Sequence, residues 1–128
     1  MTAPIPRIML IEDHPDHAFY IKKGLAIRQF EVEWYEDGVT ALAAAQANPP
    51  DAILLDIMLP GLHGLDLLRE LKTDSRTLNI PVIVVTAYAT MQVNREKEMA
   101  LSYGATDFFK KPFNVEDLAK KLREILEA

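Results

Sequence analysis

The chain has 128 residues, no cysteine and a formal net charge of −5, a length that buries a two- or three-layer core without staples and a composition that excludes a disulfide framework and thiolate metal sites. The acidic balance argues against a non-specific grip on nucleic acid, which needs a basic face. No apolar run approaches the roughly 18 residues of a membrane span, and the amino end lacks a charged-then-apolar signal pattern, so one cytoplasmic domain over residues 1–128 is expected, with no contact to membrane.

Residues 1–6, with two prolines, read as an extended lead-in. Ile8 to Ile11 is a continuous apolar run that stops at Glu12-Asp13, the pattern of a buried strand with acids at its carboxyl end. From Pro15, the apolar positions Ala18, Ile21 and Leu25, with Phe19 beside them, recur at helical spacing, and Pro15 and Asp16 suit a first turn; a helix to about Arg28 follows. Glu31 to Tyr35 alternates polar and apolar and predicts a half-exposed edge strand. Glu36-Asp37-Gly38 turns the chain into a helix over Val39 to Ala47, which Asn48-Pro49-Pro50 ends.

Ala52 to Leu55 is a second apolar run, and it ends in Asp56. A carboxylate finishing an apolar strand is costly to desolvate unless it stands at the strand's mouth, facing water or a cation. A helix is expected from about Gly64 through Leu65, Leu68 and Leu71 to Lys72, then a polar connection to Asn79. Val82 to Val85 is a third apolar run, rich in β-branched residues, ending at Thr86. Met91 to Tyr103 is expected to be helical with Gly104 at C′, its charges from Arg95 to Glu98 forming a solvated face. Asp107 to Lys110 reads as a second edge strand. Asn114 caps a last helix whose apolar stripe is Val115, Leu118, Ala119, Leu122, Ile125 and Leu126.

Five strands alternating with five helices imply an α/β doubly wound parallel sheet with helices on both faces. Placing the three apolar runs centrally and the two amphipathic ones at the edges predicts strand order 2-1-3-4-5. In such a sheet the ligand crevice lies at the carboxyl ends of the strands, where Glu12, Asp13 and Asp56 meet. Carboxylates about 5 Å apart repel by about 3 kcal/mol per pair at an effective dielectric of about 20. A raised pKa or a bound cation must offset that, and an oxygen-only donor set suits Mg²⁺, which keeps several waters. A metal with open positions beside a carboxylate also accepts a phosphoryl group, which makes Asp56 a candidate nucleophile.

Four pieces stand in order along the chain: Ile11-Glu12-Asp13-His14-Pro15-Asp16, then Leu55-Asp56-Ile57-Met58-Leu59-Pro60-Gly61 with Gly64 following, then Val85-Thr86-Ala87, then Gly104-Ala105 with Lys111-Pro112-Phe113. On these pieces, and over essentially its whole length, the chain resembles a response regulator receiver domain, single-domain and chemotaxis-regulator-like. It implies a flavodoxin-like fold and an aspartate that accepts a phosphoryl group from the phosphohistidine of a sensor histidine kinase or histidine phosphotransfer protein. Asp56 would be that acceptor. Asp13, Asp56 and the backbone carbonyl of Met58 would hold Mg²⁺, with Glu12 acting near the metal. Lys111, before a cis proline, and Thr86 would bind phosphoryl oxygens. Phe108 would be the switch aromatic that follows Thr86 and reshapes the surface of helix 4, strand 5 and helix 5 for a downstream protein or a homodimer partner. As a catalyst the domain would turn over only its own phosphorylation and autodephosphorylation at Asp56, and Met58, Ala87 and Tyr88 beside the water approach imply a phosphoryl group of intermediate lifetime. The interval from Thr86 to Lys111 is a few residues longer than the family's usual.

Two other readings fit parts of this pattern. A Mg²⁺-dependent phosphohydrolase of similar architecture needs a second acid close after the nucleophile, and Met58 stands there. A phosphorylation-independent interaction module leaves the complete acid and lysine set without a use. Lys110 is expected to be a solvated edge lysine, His14 and His17 to be solvent-exposed rather than a zinc pair, and His63 to be a loop residue; the distance of Trp34 from the acids is left open.

Overall fold

The computed structural model describes residues 4–59, 62–86 and 93–127. Its elements are β1 (Arg7–Ile11), α1 (Pro15–Ile27), β2 (Glu31–Tyr35), α2 (Gly38–Ala47), β3 (Ala52–Leu55), α3 (Gly64–Thr73), β4 (Val82–Thr86), α4 (Val93–Ser102), β5 (Asp107–Lys110) and α5 (Val115–Leu126). The strands form one parallel sheet in the order β2-β1-β3-β4-β5. The expected order and the placing of the amphipathic strands at the edges are both met. Pro60, Gly61, Ala87, Tyr88 and the expected start of the fourth helix at Met91 lie outside the described residues, as does the whole loop between Thr86 and α4.

The continuous apolar runs are explained by two cores, one on each face of the sheet. Side chains of successive strand residues point to opposite faces, so Met9, Ile11, Ile53, Leu55, Val82 and Val84 pack with α2, α3 and α4. Ile8, Leu10, Ala52, Leu54, Ile83 and Val85 pack with α1 and α5. The same alternation separates the two phenylalanines of β5: Phe108 packs on the α3 and α4 side, and Phe109 lies on the α5 side with its ring edge-on to Phe113 at 5.9 Å.

Helix ends follow local chemistry. Asp37 accepts a hydrogen bond from the Thr40 N–H (2.8 Å) at the start of α2, and Asn114 from the Glu116 N–H (2.8 Å) at the start of α5. His63, expected in a loop, caps α3 by accepting from the Leu65 N–H (3.2 Å). Gly104 ends the α4 turn with φ of 108°, a left-handed conformation that favours glycine. Phe19 is 66% exposed and does not belong to the buried stripe of α1, which is Ala18, Ile21, Gly24 and Leu25.

Candidate functional site

Strands β1, β3 and β5 each hand their pairing on to the residue that follows them. The Glu12 N–H donates to the Tyr35 carbonyl (3.0 Å), the Asp56 N–H to the Ile11 carbonyl (3.0 Å), and the Lys111 N–H to the Thr86 carbonyl (2.7 Å). These residues therefore stand at one level, at the carboxyl edge of the sheet, with backbones fixed by the ladder and side chains free to converge. Carboxylate oxygens of Glu12, Asp13 and Asp56 lie within 4.8 Å of one another, close to the separation expected from the sequence.

Lys111 crosses to this cluster from the far side of the sheet. Its Nζ lies 2.5 Å from Glu12 Oε1 and 3.1 Å from Asp56 Oδ2, and its side chain is only 8% exposed. Asp56 Oδ1 accepts from the Met58 N–H (2.9 Å), while the Met58 side chain faces solvent. The Lys111–Pro112 peptide is cis. Lys110 is exposed, as expected.

Glu12 is fully buried and Asp56 nearly so, whereas Asp13 is exposed. Burial first, and then a side-chain hydrogen bond to Asp56 and repulsion from it, push the Glu12 carboxyl up to about 8, with Lys111 pulling the other way. Among the described residues, Glu12 Oε2 is buried without a hydrogen-bond partner, and so is Thr86 Oγ1. Two orphaned oxygens beside an acid cluster mark a place that a cation and a further polar group would complete. The donors are all oxygen, which fits a hard divalent ion.

Two residues that the sequence did not place in the site are part of it. Trp34 Nε1–H donates to the Glu12 carbonyl (2.7 Å), because the β1–β2 register sets Leu10 opposite Trp34 and so carries the indole to the strand's end. His17, in the first turn of α1, places Nδ1 3.0 Å from Glu12 Oε1 and 3.1 Å from Lys111 Nζ. Its ring stacks on that of His14 at 4.0 Å, and burial, Lys111 and His14 lower its pKa.

The family profile described as the response regulator receiver domain matches residues 8–123. Among curated proteins, the chain is 34% identical over 122 residues to the DNA-binding dual master transcriptional regulator RpaA of Synechocystis sp. (strain ATCC 27184 / PCC 6803 / Kazusa), covering 95% of this chain and 49% of that protein. It is 38% identical over 120 residues to the transcriptional activator protein IrlR of Burkholderia pseudomallei, covering 94% and 50%. The chain thus spans about half the length of these relatives. Among solved structures, the receiver domain of sensor histidine kinase PA1611 from Pseudomonas aeruginosa PAO1, which has a magnesium ion coordinated in its active site cleft, superposes with a TM-score of 0.86 at 32% identity over 96% of this chain and 98% of that one. The chemotaxis protein CheY4 of Vibrio cholerae superposes with a TM-score of 0.84 at 27% identity over 95% and 99%.

Proposed function

Since the chain belongs to the response regulator receiver domain family, we propose that it is a phosphoacceptor whose reactive group is the Asp56 carboxylate. A carboxylate oxygen of Asp56 attacks the phosphorus of a phosphohistidine on a sensor histidine kinase or histidine phosphotransfer protein. The P–O bond forms as the P–N bond breaks, and the imidazole leaves with the bonding electron pair. The observation that carries this reading is the pairing of Lys111 Nζ with Asp56 Oδ2 at 3.1 Å inside a buried acid cluster. A fixed ammonium there meets charge that develops on a transferring phosphoryl group without reorganising.

Glu12, Asp13, Asp56 and the Met58 carbonyl are the groups that would hold Mg²⁺. When bound, the ion would neutralise phosphoryl and carboxylate charge. Thr86, whose hydroxyl is buried without a partner among the described residues, is assigned to a phosphoryl oxygen, and Phe108 to the ring that responds to its movement. The output is protein binding, to a downstream target or a second copy, through α4, β5 and α5. Met58, two residues beyond Asp56, brings only backbone to the site, so no second acid stands there for a hydrolase.

Incubation with a small acyl phosphate and Mg²⁺ is expected to add one phosphoryl group, located by mass spectrometry at Asp56, and Asp56→Asn is expected to take none. An unlabelled wild type, or equal labelling of the variant, refutes the assignment.

A further inference from the structure

Phosphoryl transfer as described gives work to Glu12, Asp13, Thr86 and Lys111 and none to His17, whose ring stands in the same cluster. An ammonium has three N–H donors and no acceptor. Around Lys111 Nζ, Glu12 Oε1 at 2.5 Å and Asp56 Oδ2 at 3.1 Å take two of them, and His17 Nδ1 at 3.1 Å takes the third when the ring proton is on Nε2; with the proton on Nδ1 the ring would instead donate to Glu12 Oε1 at 3.0 Å. The ring is itself held, stacked on His14 with an interplanar angle of 12°. The spacing between α1 and the lysine's loop is held as well: the Tyr20 hydroxyl donates to the Phe113 carbonyl (3.4 Å) and accepts from the Val115 N–H (3.3 Å).

We propose that His17 is a positioning residue for Lys111: its neutral ring, protonated on Nε2, accepts the third ammonium hydrogen at Nδ1 and holds the charge between Glu12 and Asp56 before any phosphoryl group arrives. A lysine stem otherwise carries large rotamer freedom, and restricting it in advance removes an ordering step from the transfer. The proposal rests on Asp56 being the phosphoacceptor, and it adds a residue to which that reaction gives no part.

Two measurements test it. Ring ¹⁵N spectra of the metal-free protein at mildly alkaline pH are expected to show Nδ1 unprotonated and Nε2 protonated, with the Nδ1 resonance displaced in Lys111→Met. A proton on Nδ1, or no displacement, overturns the tether. Labelling with a subsaturating acyl phosphate and Mg²⁺ is expected to slow by about three- to tenfold in His17→Leu, the loss of one hydrogen bond, while His17→Asn, which offers an amide oxygen near the place of Nδ1, stays within about twofold of wild type. Leu equal to Asn means that the ring only packs, and this refutes the tether while leaving the phosphoacceptor assignment intact. A wild type that takes no label refutes that assignment, and the ring spectra still decide where Lys111 is held.

Discussion

Glu12 shows how one side chain ties the site to stability. Its carboxyl titrates at about 8 in the folded chain against an ordinary 4.5. Between those values the native state keeps a proton that the unfolded chain has released, so the slope of stability with pH is negative. The contribution is fully present below about 4.5, is lost as pH rises toward about 8, and is flat beyond. Asp74, held at about 2 beside Arg76, titrates below that window. His17, with its lowered pKa, acts within the window with the opposite sign, so the comparison is best made in His17→Asn chains. Urea unfolding without metal is expected to show stability falling across this range, and falling less steeply when Asp56→Asn removes the acid that helps raise Glu12. Equal slopes would contradict the coupling. Divalent cations are expected to oppose the decline, because a metal displaces the proton.

At the scale of elements, the turn after β3 is held by the start of α3. The Gly64 N–H donates to the Ile57 carbonyl at 2.9 Å, and a Cβ on Gly64 would lie 2.4 Å from Ile57 Cα and 2.6 Å from the Asp56 carbonyl oxygen. Those are backbone atoms of the segment that carries Asp56, which have no rotamer to yield. Gly64→Ala is expected to destabilise by about 2 to 3 kcal/mol and to slow labelling of Asp56. Gly38→Ala, where only Leu67 and Leu62 side chains stand from 3.2 Å outward, is expected to shift stability by less than about 1 kcal/mol. Paired denaturant titrations compare the two, and a Gly64→Ala loss no larger than that of Gly38→Ala would refute the backbone argument. The elements themselves were legible in the sequence, because period-two and period-3.6 patterns and capping residues are local signals. So was the meeting of Glu12, Asp13 and Asp56, since acids ending central parallel strands converge by topology. His17 and Trp34 were not, for a tertiary reason: α1 docks against the Lys111 loop and β2 pairs in one particular register, and neither relation leaves a mark within five residues of either side chain.

For the whole molecule, that register makes the one tryptophan a reporter. Trp34 is bonded to the carbonyl of a residue whose side chain belongs to the acid cluster, so a Mg²⁺ titration is expected to change its fluorescence, and the change is expected to vanish in Asp13→Ala. No response in wild type would count against metal entry at this cluster. The site also draws on nearly the full length of the chain, from Glu12 to Lys111, and none of the described helices is long and apolar enough to cross a membrane.

Glu12 and Lys111 are 99 residues apart in sequence, and their contact ties the two ends of the chain together. Without the last strand and the loop after it, β1 and β3 side by side would bring the acids together with no ammonium between them, and Glu12 would hold its proton more firmly still, since Lys111 is the group that pulls its pKa down. The cation that serves the finished site is therefore also what keeps the charge state of the amino-terminal acids dependent on the carboxyl-terminal third of the molecule.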